Sequence, residues 1–364
     1  MPGRGALMRA ATMVLSILLA GCASLPTAPA VEATEAAGPD LDAIDALMAD
    51  YTGEVPGASV LVLHEGEPVV RRSYGLADVD AGIAATPATN YRLASVSKQF
   101  TAAAVLLLVD DGVVDLDGPV RQWLPELPPI ADGVTVRHLL THTSGLVDYE
   151  EVMEPDPPEQ LRDADVLAIL AGVDRAYFPP GSDYRYSNSG YALLALLVER
   201  ASGMDYPDFL QARIFEPLGM EGTLAYTREG PAVRERAYGH TLVDGGWVRT
   251  DQSSTSAVLG DGGVYSSIDD LARWDAALYD DRLLPDRLRT LAVTPATPTD
   301  DPDVQYGFGW RITGDRLWHS GETMGFRNVL VRWPERQLTV VVLTNRNHPQ
   351  PYPLALRIAG RFLD

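Results

Sequence analysis

Hydrophobic and polar positions alternate from Gly57: Ala-Ser-Val-Leu-Val-Leu runs to His64, a polar turn at His64-Glu65-Gly66-Glu67-Pro68 reverses the chain, and Val69-Val70 return towards Tyr74. A period of two broken by a glycine turn predicts a β-hairpin. The period then lengthens. Residues 95–109 carry alanine and leucine on a repeating face and end at Asp110-Asp111-Gly112, which predicts a helix. Further helices are expected at 163–170, 191–201, 206–215 and 268–279, separated by loops rich in proline and glycine. Strand-like runs return around 310–312, at 328–333 and at 338–344, the last two joined by Pro334-Glu335-Arg336-Gln337, and an amphipathic helix at 354–363 ends the chain. No internal repeat interrupts this order. Strands at both ends with helices between predict an α/β (α+β) architecture: one antiparallel sheet assembled from the two termini and flanked by helices, with a large, mainly helical region inserted.

This patterning starts only near Leu41. Before it, Arg4 and Arg9 precede an apolar run over 10–20 that is too short to span a bilayer and suits the core of a signal peptide. The run ends in Leu19-Ala20-Gly21-Cys22, which resembles the lipobox of bacterial lipoproteins; the resemblance implies cleavage before Cys22 and a lipid on that cysteine. The expected organisation is a leader over 1–21, a flexible tether over 22–40 rich in Ala, Pro, Thr and Glu, and a folded body over 41–364. Ala23 after the cysteine implies, in families with this signal, an outer-membrane protein facing the periplasm. Cys22 is the only cysteine, so no intramolecular disulfide is available even though export would permit one.

Composition adds two limits. With 364 residues and 46% hydrophobic content the chain can bury a large core. Its net charge of −21, or −23 once cleavage leaves 27 basic against 50 acidic residues, excludes nucleic acid as a partner, because phosphate binding needs a basic patch.

One basic residue differs in kind from all the others. Lys98 is the only lysine; every other member of the 29 Lys and Arg residues is arginine. Ser95 lies three residues earlier, so at a helix start the two side chains share a face. A serine hydroxyl needs an adjacent base to act as a nucleophile at neutral pH. Neutral lysine can be that base, since burial and nearby positive charge lower a lysine pKa, whereas arginine stays protonated. The bland alternative for Ser-Val-Ser-Lys is a plain helix cap.

Two later stretches add weight. Tyr186-Ser187-Asn188 follows Pro179-Pro180-Gly181 in a loop just before a helix. A tyrosine there can relay protons and an asparagine amide can hold a substrate carbonyl. His319-Ser320-Gly321 ends a strand, with Glu322 and Gly325 after it. A strand edge beside glycine lets substrate approach the backbone, where an N–H completes an oxyanion hole.

The three elements in this order resemble the serine β-lactamase and penicillin-binding protein superfamily, in particular the branch of class C β-lactamases, D-stereospecific peptidases and related esterases. Residues 136–146 (Val-Arg-His-Leu-Leu-Thr-His-Thr-Ser-Gly-Leu) and 260–267 (Gly-Asp-Gly-Gly-Val-Tyr-Ser-Ser) followed by Asp269-Asp270-Leu271-Ala272 support the resemblance, which spans about 41–362. It implies a β-lactamase/transpeptidase-like fold, with Ser95 as nucleophile, Lys98 as its proton acceptor and Tyr186 as general base and acid. Asn188 would orient the substrate, and the backbone N–H groups of Ser95 and Glu322 would form the oxyanion hole.

His319 departs from the pattern. β-Lactamases and cell-wall peptidases carry lysine there, a fixed cation for a substrate carboxylate, whereas histidine is largely neutral at pH 7. The expectation is therefore a serine hydrolase without metal or organic cofactor, acting on a small ester, amide or peptide. A class C-type β-lactamase or D-alanyl-D-alanine carboxypeptidase is the first rival and would need a substitute cation, with Arg327 and Arg346 as candidates. A catalytically inactive lipoprotein that binds peptidoglycan or penicillin is the second. His138 and His142 have a metal-ligand spacing but lack the glutamate of the zinc-protease pattern, so packing is expected of them. The glycine run at 260–263 reads as a close-packed loop near the site and not as a nucleotide cradle, and Tyr306, Trp310 and Trp318 line either the cleft or the core.

Overall fold

The computed structural model of the protein describes residues 41–363. The leader, the tether, Cys22 and Asp364 lie outside the described residues. Among the latter, the main sheet has eight antiparallel strands in the spatial order Thr297–Pro298, Gln305–Tyr306, Arg311–Thr313, Arg316–Thr323, Phe326–Trp333, Leu338–Thr344, Ala58–His64 and Glu67–Tyr74. The N-terminal hairpin docks on the C-terminal meander, with Ala58 opposite Thr344 and His64 opposite Leu338. One sheet is thus built from both ends of the chain.

Alternation sorts its side chains between two buried faces. Val60, Val62, Val329, Val331, Val340 and Val342 pack with Ile44, Ala355 and Ile358 of the terminal helices Leu41–Leu47 and Tyr352–Ala359, and with Met48 just after the first of them. Leu61, Leu63, Leu330, Val341 and Leu343 point the other way, into a larger core shared with Phe100, Leu193 and Trp274. Each such side chain contributes about 1.5–3 kcal/mol on burial.

Two helices in that second core carry site residues. Lys98–Asp110 is buried from Lys98 to Leu108, and its sequence is apolar on all sides, as a central helix requires. It begins later than its sequence pattern suggests, because Ala94–Ser97 form a 3-10 turn that contains Ser95. Asn188–Ser202 packs against it and stops at Gly203, whose φ of 71° is the left-handed conformation that ends helices. The segment starting at Tyr206 is α-helical to Leu210 and continues as a π-helical turn over Gln211–Phe215.

Candidate active site

The 3-10 turn exposes one residue. Ala94 has a φ of 51°, a region that non-glycine residues seldom adopt. The kink leaves Ser95 partly exposed while Ala94 and Val96 are buried. Strain next to a reactive side chain is a recurrent feature of functional sites.

Lys98, in the first turn of its helix, is fully buried. Its Nζ lies 3.2 Å from Ser95 Oγ, 2.8 Å from Asn188 Oδ1 and 2.8 Å from the Asp261 carbonyl. Two of these partners can only accept a hydrogen bond, whereas the Ser95 hydroxyl can also donate. Asn188 is held from both sides: its backbone N–H donates to Asp148 Oδ2 at 2.6 Å and its Nδ2 to Glu150 Oε1 at 3.1 Å. The second Nδ2 hydrogen makes no hydrogen bond among the described residues.

Asp261 comes from the glycine run. A Cβ on Gly260 would lie 2.2 Å from the Tyr191 carbonyl, so only glycine lets this loop press against the Asn188–Ser202 helix and deliver the Asp261 carbonyl to Lys98. The buried Asp261 carboxyl, which accepts from Tyr149 Oη at 3.3 Å, is pushed up to about 7, chiefly by burial and against the pull of Lys98.

The Tyr186 ring has two basic side chains close to it. Lys98 Nζ is 5.0 Å from its centroid and the Arg311 guanidinium 5.4 Å, while the His142 ring lies 4.3 Å away. Cation–π contacts of this kind hold the ring in place.

The strand Arg316–Thr323 forms the opposite wall. A Cβ on Gly321 would lie 1.9 Å from the Leu93 carbonyl, so glycine is required for the strand to pass the backbone leading to Ser95. The close approach brings Gly321 and Glu322 beside the serine turn. Glu322 turns its side chain outward to Arg327 at 2.6 Å and to Gln350 at 2.8 Å.

His319 is 1% exposed. Its Nδ1 is 2.7 Å from the Ser320 carbonyl, which can only accept, so Nδ1 carries the proton and Nε2 accepts from Tyr306 Oη at 3.0 Å. Burial first, then Arg311 and Lys98, hold this imidazole well below the usual histidine range. It is a neutral hydrogen-bonding group and not a replacement for a lysine.

The cation in this region is a different residue from either one suggested by the sequence. Arg327 is tied to Glu322 and to the Thr323 and Phe326 carbonyls, and Arg346 lies 3.6 Å over the Tyr51 ring while donating to the Asp50 carbonyl. Arg311 meets only aromatic faces, those of Tyr186, Tyr306 and Trp318, and no carboxylate pairs with it among the described residues. Its strand pairs with that of His319, Arg311 lying opposite Trp318.

The remaining sequence candidates separate. His138 caps its own helix, its Nδ1 accepting from Thr135 N at 3.2 Å and its N–H donating to Thr135 Oγ1. His142 packs against Tyr186 instead. Tyr306 belongs to the site, Trp310 is core, and Trp318 stacks on Tyr352 with centroids 4.2 Å apart.

Comparison with known proteins identifies the family. A model of the Beta-lactamase family matches residues 42–362. The chain is 32% identical over 324 residues to penicillin-binding protein 4* of Bacillus subtilis, covering 84% of this chain and 71% of that one. It is 32% identical over 311 residues to a D-aminopeptidase of Gluconobacter oxydans, covering 83% of this chain and 58%, less than two thirds, of that protein. Among solved structures, the D-amino acid amidase of Ochrobactrum anthropi complexed with L-phenylalanine amide matches with a TM-score of 0.76 at 28% identity, over 89% of this chain and 97% of the other. The octameric penicillin-binding protein homologue of Pyrococcus abyssi matches with a TM-score of 0.79 at 28% identity, over 88% and 78%. The chain belongs to the beta-lactamase family of serine hydrolases.

Proposed function

We propose that the protein hydrolyses a small amide, ester or short peptide through an acyl-enzyme on Ser95. One observation carries this reading: Lys98 Nζ is 3.2 Å from Ser95 Oγ while its other two hydrogen-bond partners are pure acceptors. A neutral amine has two hydrogens and one lone pair. In that form, which the reading requires of Lys98, the hydrogens would satisfy Asn188 and Asp261 and the lone pair would be left for the Ser95 hydroxyl.

In the first half-reaction Ser95 Oγ bonds to the substrate carbonyl carbon as its proton passes to Lys98 Nζ. Charge collects on the carbonyl oxygen, where the N–H groups of Ser95 and Glu322 stabilise it. The carbon–nitrogen or carbon–oxygen bond then breaks, with Tyr186 giving the leaving group its proton. Water attacks the acyl-enzyme in the second half, losing a proton to Tyr186, and Ser95 Oγ recovers its own.

Arg311 favours a second reading within the same chemistry. A guanidinium without a carboxylate partner beside Tyr186 suits a substrate with a carboxylate near the scissile bond, as in a β-lactam or a D-alanyl-D-alanine peptide. The names of the penicillin-binding and D-aminopeptidase relatives are in keeping with an amide substrate. Turnover of p-nitrophenyl esters, D-amino acid p-nitroanilides and nitrocefin by the purified protein separates the readings. Ester and anilide hydrolysis well above nitrocefin hydrolysis is expected, and nitrocefin as the fastest substrate selects the second reading.

The leader belongs to the same proposal: a lipid on Cys22 would hold the enzyme on the periplasmic face of the outer membrane. Cys22→Ser should then release it from the membrane fraction, and unchanged fractionation would move the anchor elsewhere.

A further inference from the structure

His142 belongs to the stretch His-Leu-Leu-Thr-His, residues 138–142, and the mechanism above leaves it without a task. Its ring packs among those of Tyr184, Tyr186, Tyr191 and Tyr306, with Tyr186 the nearest, and its polar contacts flank Tyr186. Its backbone carbonyl accepts from Arg185 N at 3.0 Å, its Nδ1 accepts from Ser187 N at 3.2 Å, and its ring lies 4.3 Å from that of Tyr186, the residue between them. His142 therefore grips Tyr186 before, on and after the residue.

We propose that His142 is the positioning residue of Tyr186, fixing through Ser187 N the Tyr186–Ser187 peptide. The inference rests on Tyr186 being the acid and base of the reaction.

The geometry makes the grip specific. Ser187 N points into a buried region, and without Nδ1 it would lose its hydrogen-bond partner. Ser187 is also the N-cap of the Asn188–Ser202 helix, with extended dihedrals of −144° and 126°, so the peptide held by His142 sets how the helix starts and where Asn188 meets Lys98. His142 has a φ of 59°, a conformation in which histidine and asparagine are tolerated better than most side chains. Accepting from Ser187 N requires an unprotonated Nδ1. Burial above all, with the neighbouring basic groups adding to it, keeps the imidazole in that form well below the usual histidine range. No hydrogen bond is made by Nε2, so the ring serves Tyr186 by Nδ1 and by its face.

The test uses two variants that both suit a positive φ. His142→Gly removes the acceptor and the ring, whereas the shorter His142→Asn keeps an acceptor in the place of Nδ1. Acylation of Ser95 by a D-amino acid p-nitroanilide, whose leaving nitrogen must be protonated, is followed for each through release of p-nitroaniline, separating the maximal rate from the half-saturating concentration. His142→Gly is expected to lower the maximal rate by about 10- to 100-fold while changing the half-saturating concentration by less than about 3-fold, because misplacing a catalytic group by a fraction of an ångström costs rate and not binding. His142→Asn is expected to recover to within about 5-fold of wild type on the same argument. Wild-type acylation by the glycine variant, or equal slowness of the asparagine variant, overturns the positioning role. Tyr186→Phe is the control. If it is acylated as fast as wild type, the role of Tyr186 fails and takes the proposal with it; if it is slow while His142→Gly is fast, only the positioning role is lost.

Discussion

Two buried basic side chains, Lys98 and His319, lie near the Tyr186 ring, and their surroundings treat them in opposite ways. Lys98 meets two acceptor-only oxygens and a serine hydroxyl, with the acidic groups Asp148, Glu150 and Asp261 close behind. His319 meets a carbonyl on one nitrogen and a phenol on the other, with Lys98 and Arg311 as its nearest charges. Both are almost wholly removed from solvent. Burial alone therefore does not decide what a basic side chain can do. The first environment leaves a nitrogen aimed at a nucleophile; the second locks an imidazole as a neutral spacer and leaves the positive charge to Arg311 on the adjoining strand.

Substitutions can break this contrast, and the largest effect is expected on the lysine side. Lys98→Arg keeps the charge and most of the length but cannot offer a lone pair. It should lower the rate of Ser95 acylation by at least about 100-fold, the usual scale for loss of a catalytic base, and near-normal stopped-flow acylation would remove the proton-acceptor role. Arg311→Ala should raise KM by about 10- to 100-fold for substrates with a carboxylate near the scissile bond, the scale of a lost charged hydrogen bond, while neutral esters change little. Equal losses for both substrate classes would make Arg311 a support for Tyr186 and not a substrate anchor.

The histidine side should be milder. His319→Gln retains a neutral acceptor and should leave kcat within about 5-fold of wild type, since no proton transfer is assigned to the imidazole. Its signature lies in stability. A folded pKa depressed below that of the unfolded chain contributes stability that is present above about pH 6.5 and is lost as pH falls towards the folded value. The melting advantage of wild type over His319→Gln should therefore shrink between pH 7 and pH 5, by up to about 1.4 kcal/mol per pH unit. A constant difference would show that His319 titrates alike in both states.

Much of the fold was legible from periodicity. The N-terminal hairpin and the last two long strands are read directly from alternating valines and leucines, because both faces of the sheet are covered and the register is fixed by burial. The two-residue strands Thr297–Pro298 and Gln305–Tyr306 leave no such trace, being too short to show a period. The strand Arg316–Thr323 could be placed only through His319-Ser320-Gly321, since its inward positions mix Leu317 with His319 and Gly321.

Of the site, Ser95, Lys98, Tyr186 and Asn188 were accessible because local spacing marks them. Arg311 and Asp261 were not, because what distinguishes them is created by folding. Arg311 reads as an ordinary strand residue until its strand pairs with that of His319, and Asp261 reads as part of a glycine loop until its carbonyl meets Lys98. His142 had a visible signal, its spacing from His138, but that spacing points to a shared ligand while the two rings serve different partners.

The central claim is that Ser95 becomes acylated because Lys98 takes its proton. Mass spectrometry of the purified protein after reaction with an alkyl fluorophosphonate tests it most directly. The account predicts one adduct, on the peptide containing Ser95, formed rapidly in wild type, slowly in Lys98→Arg and not at all in Ser95→Ala. An adduct on another residue, or labelling of Ser95→Ala as strong as that of wild type, would contradict it.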